Sequence, residues 1–567
     1  MVNLMYYTQT DIANRKIEIG SIESSSEALK QLIFDDSNSE YKQAMSDGQK
    51  YFLVKNTEIL ENKQLNTYAT YENTGTQAEP TWTTTEKTNP QSANIKKPSA
   101  EYRISVKQKI EYGLANGTMI SYGDKENAND IQTLEDILSV LGKYKDVVIS
   151  EFVQSGSNAA LGYIYVYIDT NGKFQYTVMD PKEIIVVYKD HTRRLIDTVY
   201  RYYHIDTVTD GKTESKLRVE IYTETEMNVY NETKDGFIAD YELSTAFGYI
   251  KVGDETEQPI NWGRPPFIEY VNNPERITDL QAAKLKIDDL DYQDSKLSND
   301  YTDKPDHLIN IRGYSGDNPL DLADFFKTIG ITFSDEDGGV DSVDMKIPYE
   351  GKHSIMKETK KDIFTALQAV DTSAETVSKA PSGVALTMMY KPLEMKVQSM
   401  YQGLTKSLYD LMYFVNKYFK IAGSLTEVKY ETKSFDIALV EFAFTPNRVI
   451  NLVELADVIV KLSALLPKEE LLKLLPFVDQ NNIKEILEKI EAETEDLFNE
   501  PIEDQPTEDE EIVDTAEALD LNSVQIKSAI AIVNEVGDGL TANQAKVQLK
   551  TFFGLTDEQA NNLIDAK

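Results

Sequence analysis

The chain has 567 residues, with 58 Lys and Arg against 95 Asp and Glu, a formal charge of −37, and no cysteine. At about 150 residues per domain the length suggests three or four structural units. A hydrophobic fraction of 41% with 10% aromatics can build sizeable cores and excludes wholesale disorder. Lack of cysteine removes disulfide scaffolds, thiolate zinc sites, iron–sulfur clusters and cysteine nucleophiles. The four histidines (His191, His204, His307, His353) are scattered, so neither a histidine metal site nor a cofactor is expected. The opening MVNLMYYTQT has no basic region before an apolar core, and no apolar run approaches the ~18 residues needed to span a bilayer. We therefore expect a soluble chain made in a reducing cytoplasm. The acidic balance argues against wrapping nucleic acid through a basic surface, whereas an acidic wall lets a duplex pass without sticking.

In chain order, residues 1–70 read as helical segments, with YKQAMSDGQKYFLVKN the clearest. Residues 71–99 are rich in Thr, Asn, Gly and Pro and read as a long surface loop. A helix is expected from Glu101 to about Asn116, and another over IQTLEDILSVLGKY (131–144). The pattern then changes. ALGYIYVYIDTNGKFQYTVMD (160–180) is strand, Asn171–Gly172 turn and strand, a strong hairpin signal. Tyr- and Val-rich alternation continues to about residue 253, predicting one antiparallel sheet.

After NWGRPPFIEYVNN (261–273), residues 275–300 read as a long polar helix with a thin apolar stripe (Ile277, Leu280, Ala283, Ile287, Leu290, Leu297). Such a helix bridges domains or packs beside copies of itself. Residues 301–350 form a small insert with short β-like runs (HLINIRG, GITFS, VDMKIP) around DLADFFKTI. Four basic against eleven acidic residues give it a net charge of −7. A second helix follows, then the small-residue stretch DTSAETVSKAPSG (371–383). A very long helix (384–421) comes next, which Pro392 is expected to kink. SFDIALVEFAFTPN (434–447) holds a late strand, and helices resume over 448–498. EPIEDQPTEDEEIVDT (500–515) is an acidic tether, and capping-box signals at Thr541–Gln544 and Thr556–Gln559 predict a helical unit over 521–567.

Local chemical signatures are weak. Gly211-Lys212-Thr213 lacks the first glycine of a phosphate loop, since Asp206 stands there, and reads as a turn. DTNG (169–172) has Tyr167 where a calcium loop needs its first ligand. The acids of 334–344 fail the EF-hand spacing and read as a solvated loop that meets a partner. The Met- and Tyr-rich stripe of 388–419 reads as helix packing in preference to a ligand groove. No catalytic or metal residue is assigned.

The order of parts is the distinctive feature. A helix goes out and another returns, with an insert at the far end, as on a stalk; a ring of copies can pack such stalks about an axis. In that order the chain resembles the portal proteins, or head-to-tail connectors, of tailed bacteriophages, especially those of Gram-positive siphophages. The resemblance runs from about residue 95 to 498. It rests on NIKKPSAEYRISVKQKIEYGLANG, LGYIYVYIDTNGKFQYTVMDPKEIIVVYKD and PPFIEYVNNPERITDLQAAKLKIDDLDYQDSKLSND. It also rests on APSGVALTMMYKPLEMKV and on FAFTPN with the helices ending in LPFVDQNNIKEILEKIEAE. Residues 1–94 and the unit after the acidic linker depart from the pattern.

The resemblance implies an α+β portal-type subunit. Its wing is 1–274, its stem helices 275–300 and 351–370, its clip 301–350 and its tunnel loop 371–383. The long kinked helix and late strand follow over 384–447, the helical crown over 448–499, an acidic linker over 500–520 and the C-terminal helical unit over 521–567. It implies a homo-oligomeric ring, a dodecamer, at one capsid vertex of a virion, assembled in the host bacterial cytoplasm with major capsid and scaffolding proteins. Double-stranded DNA would enter through it, driven by a separate terminase motor, and leave on infection. The clip would dock terminase and head-completion adaptor proteins through Asp317, Asp335, Glu336, Asp337, Asp341 and Asp344. The tunnel loop would present Thr372, Ser373, Thr376, Ser378, Lys379 and Ser382 to DNA. Lys379, the loop's one cation, would graze phosphates, unless it is an ordinary solvated loop lysine. The alternatives are a non-portal structural or adaptor protein of a virion, or a nucleic-acid-processing enzyme, which would need a nucleotide or metal motif.

Overall fold

The Tyr- and Val-rich segment after residue 160 folds into two sheets, not one. In the computed structural model, strands β5 (Leu161–Ile168) and β6 (Phe174–Met179) form the expected hairpin, but β5's other neighbour is β12 (Phe267–Val271). Strands β7 (Ile184–Tyr188), β8 (Ile196–Thr209), β9 (Lys212–Tyr222), β10 (Met227–Thr233) and β11 (Gly236–Ala239) form a separate meander. A two-residue strand β1 (Tyr7–Thr8) adds to β7 in parallel, so that sheet is mixed, not purely antiparallel. Lys212 and Thr213 open β9, paired with Thr209 and Val208 of β8, and Gly211 lies outside the described residues.

The structure describes residues 6–447 apart from 19–21, 62–66, 75–81, 89–92, 210–211, 245–260, 304–306, 313–338, 345–348, 374–382 and 426–429. Beyond 447 it describes 459, 461–463, 466–473, 475, 478, 483, 486–490, 529, 532–533, 536, 541–553 and 555–565. Two compact units, 1–454 and 455–567, divide the chain.

In the first unit β7 reads IIVVY and every residue is buried, as a strand covered on both faces must be. Ile185 and Val187 point to a core with Leu29, Leu32 and Ile33 of helix α2 (Ser26–Ser37). Ile184, Val186 and Tyr188 point the other way, to Leu161, Tyr163 and Phe267 of the three-stranded sheet and to Tyr41 and Met45 of α3 (Glu40–Phe52). Strand periodicity of two sorts alternate side chains between these cores. Each fully buried aliphatic side chain contributes about 1.5–3 kcal/mol. The far face of the small sheet (Ile164, Val166, Ile268, Tyr270) packs on the long helix.

Around these sheets lie α1 (Gln9–Asn14), α4 (Thr57–Glu61), α5 (Glu101–Leu114), α6 (Ala128–Leu141) and α7 (Lys145–Ala159). The sequence reading missed α7. Its Gly156 lets the helix lie against Tyr270, where an added Cβ would stand 2.4 Å from the ring. Residues 71–99 are not one loop. Strands β2 (Thr67–Asn73) and β3 (Trp82–Thr88) pair antiparallel, and among the described residues of 71–99 only Thr74 and 93–99 are without regular structure. The late strand β15 (Val440–Phe444) pairs with β4 (Thr118–Tyr122), a strand absent from the sequence reading.

Helix α8 (Lys284–Asp303) follows a 3₁₀ turn at Asp279–Ala282, α9 spans Tyr349–Ala366 and α10 spans Gly383–Leu425, with Pro392 inside it. In the second unit α11 (Lys468–Lys473) is described, with α12 (Ala542–Phe553) and α13 (Asp557–Asp565) around Ala529, Val533, Leu549, Ala560 and Leu563. Both capping boxes form. Thr541 N and Thr556 N donate to Gln544 Oε1 (3.0 Å) and Gln559 Oε1 (2.8 Å), and each glutamine's N–H donates back to the threonine hydroxyl.

Candidate functional site

Helices α8 and α9 run antiparallel side by side. Lys286 meets Asp362 near one end (3.2 Å) and Lys352 meets Asp300 near the other (2.8 Å). The thin stripe on α8, expected to bridge domains or pack beside copies of itself, is covered within the chain. Leu280, Ala283, Ile287 and Leu290 pack with Ile363 and Leu367 and with Tyr51, Tyr102 and Val106. Large apolar side chains on other faces stay exposed, among them Leu285, Tyr292 and Tyr301 near α8's length and Tyr349 and Ile355 on α9.

Past Leu290 the buried side of α8 turns polar, at Asp291, Ser295 and Asn299. These side chains and Asp303, four residues apart, accept backbone N–H groups from alternate residues of the segment before α5. Ser99 N donates to Asp291 Oδ1 (2.8 Å), Lys97 N to Ser295 Oγ (2.9 Å), Ile95 N to Asn299 Oδ1 (2.7 Å) and Ala93 N to Asp303 Oδ1 (2.7 Å). Asn299 Nδ2 also returns a bond to Ile95 O (3.2 Å). The segment is thus strapped along the helix in the opposite direction. Burial pushes the Asp291 carboxyl up to about 6, against the hydrogen bonds from Asn56 and Ser99 that favour its charge.

At the other end of α9 the chain leaves for 371–383 from a fixed point. Gln368 takes φ 52°, its N–H donates to Thr365 O (3.1 Å), and Ala369 N donates to Phe364 O (2.9 Å), a Schellman closure with glutamine where glycine is usual. The Gln108 side chain then clasps Val370. Val370 N donates to Gln108 Oε1 (3.0 Å) and Gln108 Nε2 donates to Val370 O (2.7 Å).

Beneath that point lies a buried charged cluster. Asp279 Oδ2 sits 3.2 Å from both Lys109 Nζ and Lys396 Nζ. Lys109 also donates to Ser157 Oγ (3.0 Å) and Asn272 Oδ1 (2.6 Å), and Lys396 donates to Leu367 O (2.9 Å). Burial alone would raise the Asp279 carboxyl, but the two lysines hold it well below the usual carboxylate range. Burial pulls Lys109 down to about 8, with Asp279 opposing. The cluster joins α5, the 3₁₀ turn before α8, the end of α9 and α10. Sequence reading missed all three charges. The usable signal was Lys109 itself, a lysine at helical spacing from Tyr102 and Val106 on the apolar face of α5.

Of the residues assigned to the tunnel loop, Thr372 and Ser373 are described; Ser373 N donates to Asp371 Oδ1 (3.0 Å). Thr376, Ser378, Lys379 and Ser382 lie outside the described residues. In the insert, β13 (His307–Arg312) pairs antiparallel with β14 (Gly339–Asp344), placing Asp341 opposite Asn310 and Asp344 opposite His307. The second strand therefore starts earlier than VDMKIP. Asp317, Asp335, Glu336 and Asp337, with GITFS and DLADFFKTI, lie outside the described residues. The Met stripe on α10 divides: Met400, Tyr401, Met412 and Phe419 are buried, whereas Met388 and Met395 are exposed. Among the described residues no helix is long and apolar enough to cross a membrane, and no group of three His, Asp or Glu could hold a metal.

Phage portal proteins are among the sequences similar to this chain. The portal protein of Bacillus phage SPP1 is 28% identical over 337 residues, 58% of this chain and 64% of that relative, so the match spans less than two thirds of the relative's length. The portal protein of a Clostridium phage, phiCD119, is 24% identical over 397 residues, 67% of this chain and 80% of the relative. Among solved structures, the neck of a native gene transfer agent particle computed with C12 symmetry matches at 14% identity. It covers 67% of this chain and 91% of that one with a TM-score of 0.36. The model of the family described as phage portal protein, SPP1 Gp6-like, matches residues 31–496, most of the sequence. The chain belongs to that portal protein family.

Proposed function

We propose that the chain is the subunit of a ring, a dodecamer, at the single portal vertex of a phage capsid. Double-stranded DNA passes through the ring during packaging and again during ejection, and the chain itself does no chemistry. The observation that carries this reading is the family match over 31–496. The antiparallel α8–α9 pair supports it, with the β13–β14 insert at one end and a small-residue segment leaving the other. Apolar side chains left open on the stem helices suit contact with neighbouring copies.

In this reading the acidic chain lines a bore that repels phosphates, so the duplex slides without being trapped. The segment 371–383 is the constriction. The Gln108 clasp and the Lys396 contact give it an immobile root, while its Ser, Thr and Ala residues can yield to a passing helix. Lys379 adds one cation per subunit, enough for brief phosphate contacts. The clip, with its net −7, docks the terminase motor and later the head-completion adaptors through its acids. Major capsid and scaffolding proteins surround the ring in the virion. Mass measurement and negative-stain imaging of the purified protein test the reading. Rings with a central hole and no nucleotide hydrolysis are expected, whereas a monomer, or ATPase activity abolished by one point mutation, overturns it.

A further inference from the structure

A small cavity of about 30 Å³ lies where α3, β5, β7 and the residues of β1 meet. Five tyrosines line it, and the hydroxyls of two of them, Tyr7 and Tyr41, exposed by only 4% and 7%, have no hydrogen-bond partner among the described residues. Burial, with nearby carboxylates adding to it, pushes both phenols up, so they stay neutral and able to donate. Other charged groups on the wall are already engaged. Lys42 Nζ donates to Pro181 O (2.8 Å), Lys182 O (3.0 Å) and Ile184 O (2.7 Å) and pairs with Asp36 (3.2 Å). Arg276 donates to Tyr188 Oη (2.8 Å) and pairs with Glu269 (3.4 Å). Arg193 has no carboxylate partner among the described residues; its guanidinium lies over the Tyr6 ring, 4.8 Å from the centroid.

Three cations, Lys42, Arg193 and Arg276, and one carboxylate, Asp36, line the cavity itself, with Glu269 behind Arg276 and Asp11, Asp35 and Arg15 acting on Tyr7 from further out. The free functions offered are donors. The space suits one or two water-sized particles and is too small for a nucleotide or a peptide side chain. We propose that this cavity is a binding site for a single small inorganic anion of chloride size, held by the Tyr7 and Tyr41 hydroxyls with Arg193 at its edge. A bound anion supplies the acceptor both hydroxyls lack and lies beside Arg193, which has no carboxylate partner among the described residues. It also ties β1 to α3 beside Arg276, at the approach to α8.

Bromide is the probe. The full chain is exchanged into sodium gluconate, and bromide is substituted at constant ionic strength while the thermal midpoint is followed. The wild type should gain roughly 1–2 °C for each tenfold rise in bromide above half-saturation. The Tyr7→Phe, Tyr41→Phe double variant keeps both rings in the core and should lose that dependence. Crystals grown in bromide should give an anomalous peak within hydrogen-bonding distance of both hydroxyls. A wild-type midpoint indifferent to bromide, a response that persists in the double variant, or density there with no anomalous signal, as for water, each overturns the proposal.

Discussion

Lys109, Asp279 and Lys396 form a buried triad with one positive charge in excess, and its members are not equivalent. Asp279→Ala leaves two lysines facing each other out of water and should cost about 3–5 kcal/mol in chemical unfolding. Lys396→Met leaves a neutral Lys109–Asp279 pair and forfeits chiefly the bond to Leu367 O, so it should cost less. If the two variants lose the same stability, the Coulombic account is wrong. Lys109 also sets a pH dependence. The folded protein releases its proton at about 8, whereas the unfolded chain holds it to about the ordinary 10.5. The unfolded state therefore binds more protons between those values, and this residue's contribution to stability rises with pH across that window. Unfolding midpoints of wild type and Lys109→Met at pH 7.5 and 9.5 check it: the difference should move in favour of the wild type at the higher pH. None of the triad was legible in the sequence beyond Lys109's place on an apolar stripe. Its partners are remote along the chain, and nothing local to Asp279 among 95 acids marks it.

Elements with a strong local signal were read correctly; those defined by a distant partner, or hidden by their composition, were not. The β5–β6 hairpin was legible because Asn171–Gly172 closes it within a few residues. That β5's second neighbour is β12, about a hundred residues on, leaves no trace in local alternation. Hairpin β2–β3 was hidden by a composition of Thr, Asn and Gly that reads as loop. Helix α7 carries Ser, Gly and Asn of low helical propensity and is held by packing instead. Close packing makes a second glycine decisive. A Cβ on Gly403 of α10 would stand 2.5 Å from Val271 O, a backbone atom of β12. Gly403→Ala should destabilise the first unit by about 1–3 kcal/mol, read from its unfolding midpoint. On α8, Asn299→Ala removes both bonds to Ile95 and strands that residue's N–H and C=O. Losing both bonds, the strap should loosen there. Limited proteolysis should then cut within 93–99 faster than in the wild type, with the rest of the unit still protected.

For the whole molecule, charge is the property to perturb. Reversing Asp335, Glu336 and Asp337 to lysine should leave rings assembling while weakening attachment of the motor and adaptors. Normal packaging and tail attachment in that variant would remove the clip's assigned role. On the function proposed above, Lys379→Ala should leave assembly intact and change DNA retention, and Lys379→Glu should do more, because it would add repulsion at the proposed constriction. Packaged DNA and its leakage measure both; two variants that behave like the parent make Lys379 a solvated bystander. The family was legible because the resemblance lies in several pieces taken in order, which survives even where single motifs are weak. The loop and clip residues were assigned by their place in the resemblance and by composition, neither of which carries contacts.

The strap on α8 also works as a length gauge. Two residues of extended chain advance about 6.6 Å, and four residues of helix advance about 6.0 Å while turning through some 40° beyond a full circle. Each rung thus falls about 0.6 Å out of step with the last and a little further round the helix, so a ladder much longer than the observed one would drift off its acceptors. Parity is guarded as well. The donors are residues 93, 95, 97 and 99, and Pro98, which has no N–H, occupies the opposite phase. Sliding the strap by one residue would present proline to a carboxylate that needs a donor. Slippage is therefore penalised in the sequence itself, and the one-residue deletion Δ96 should dislodge the strap more than a two-residue deletion that restores the alternation.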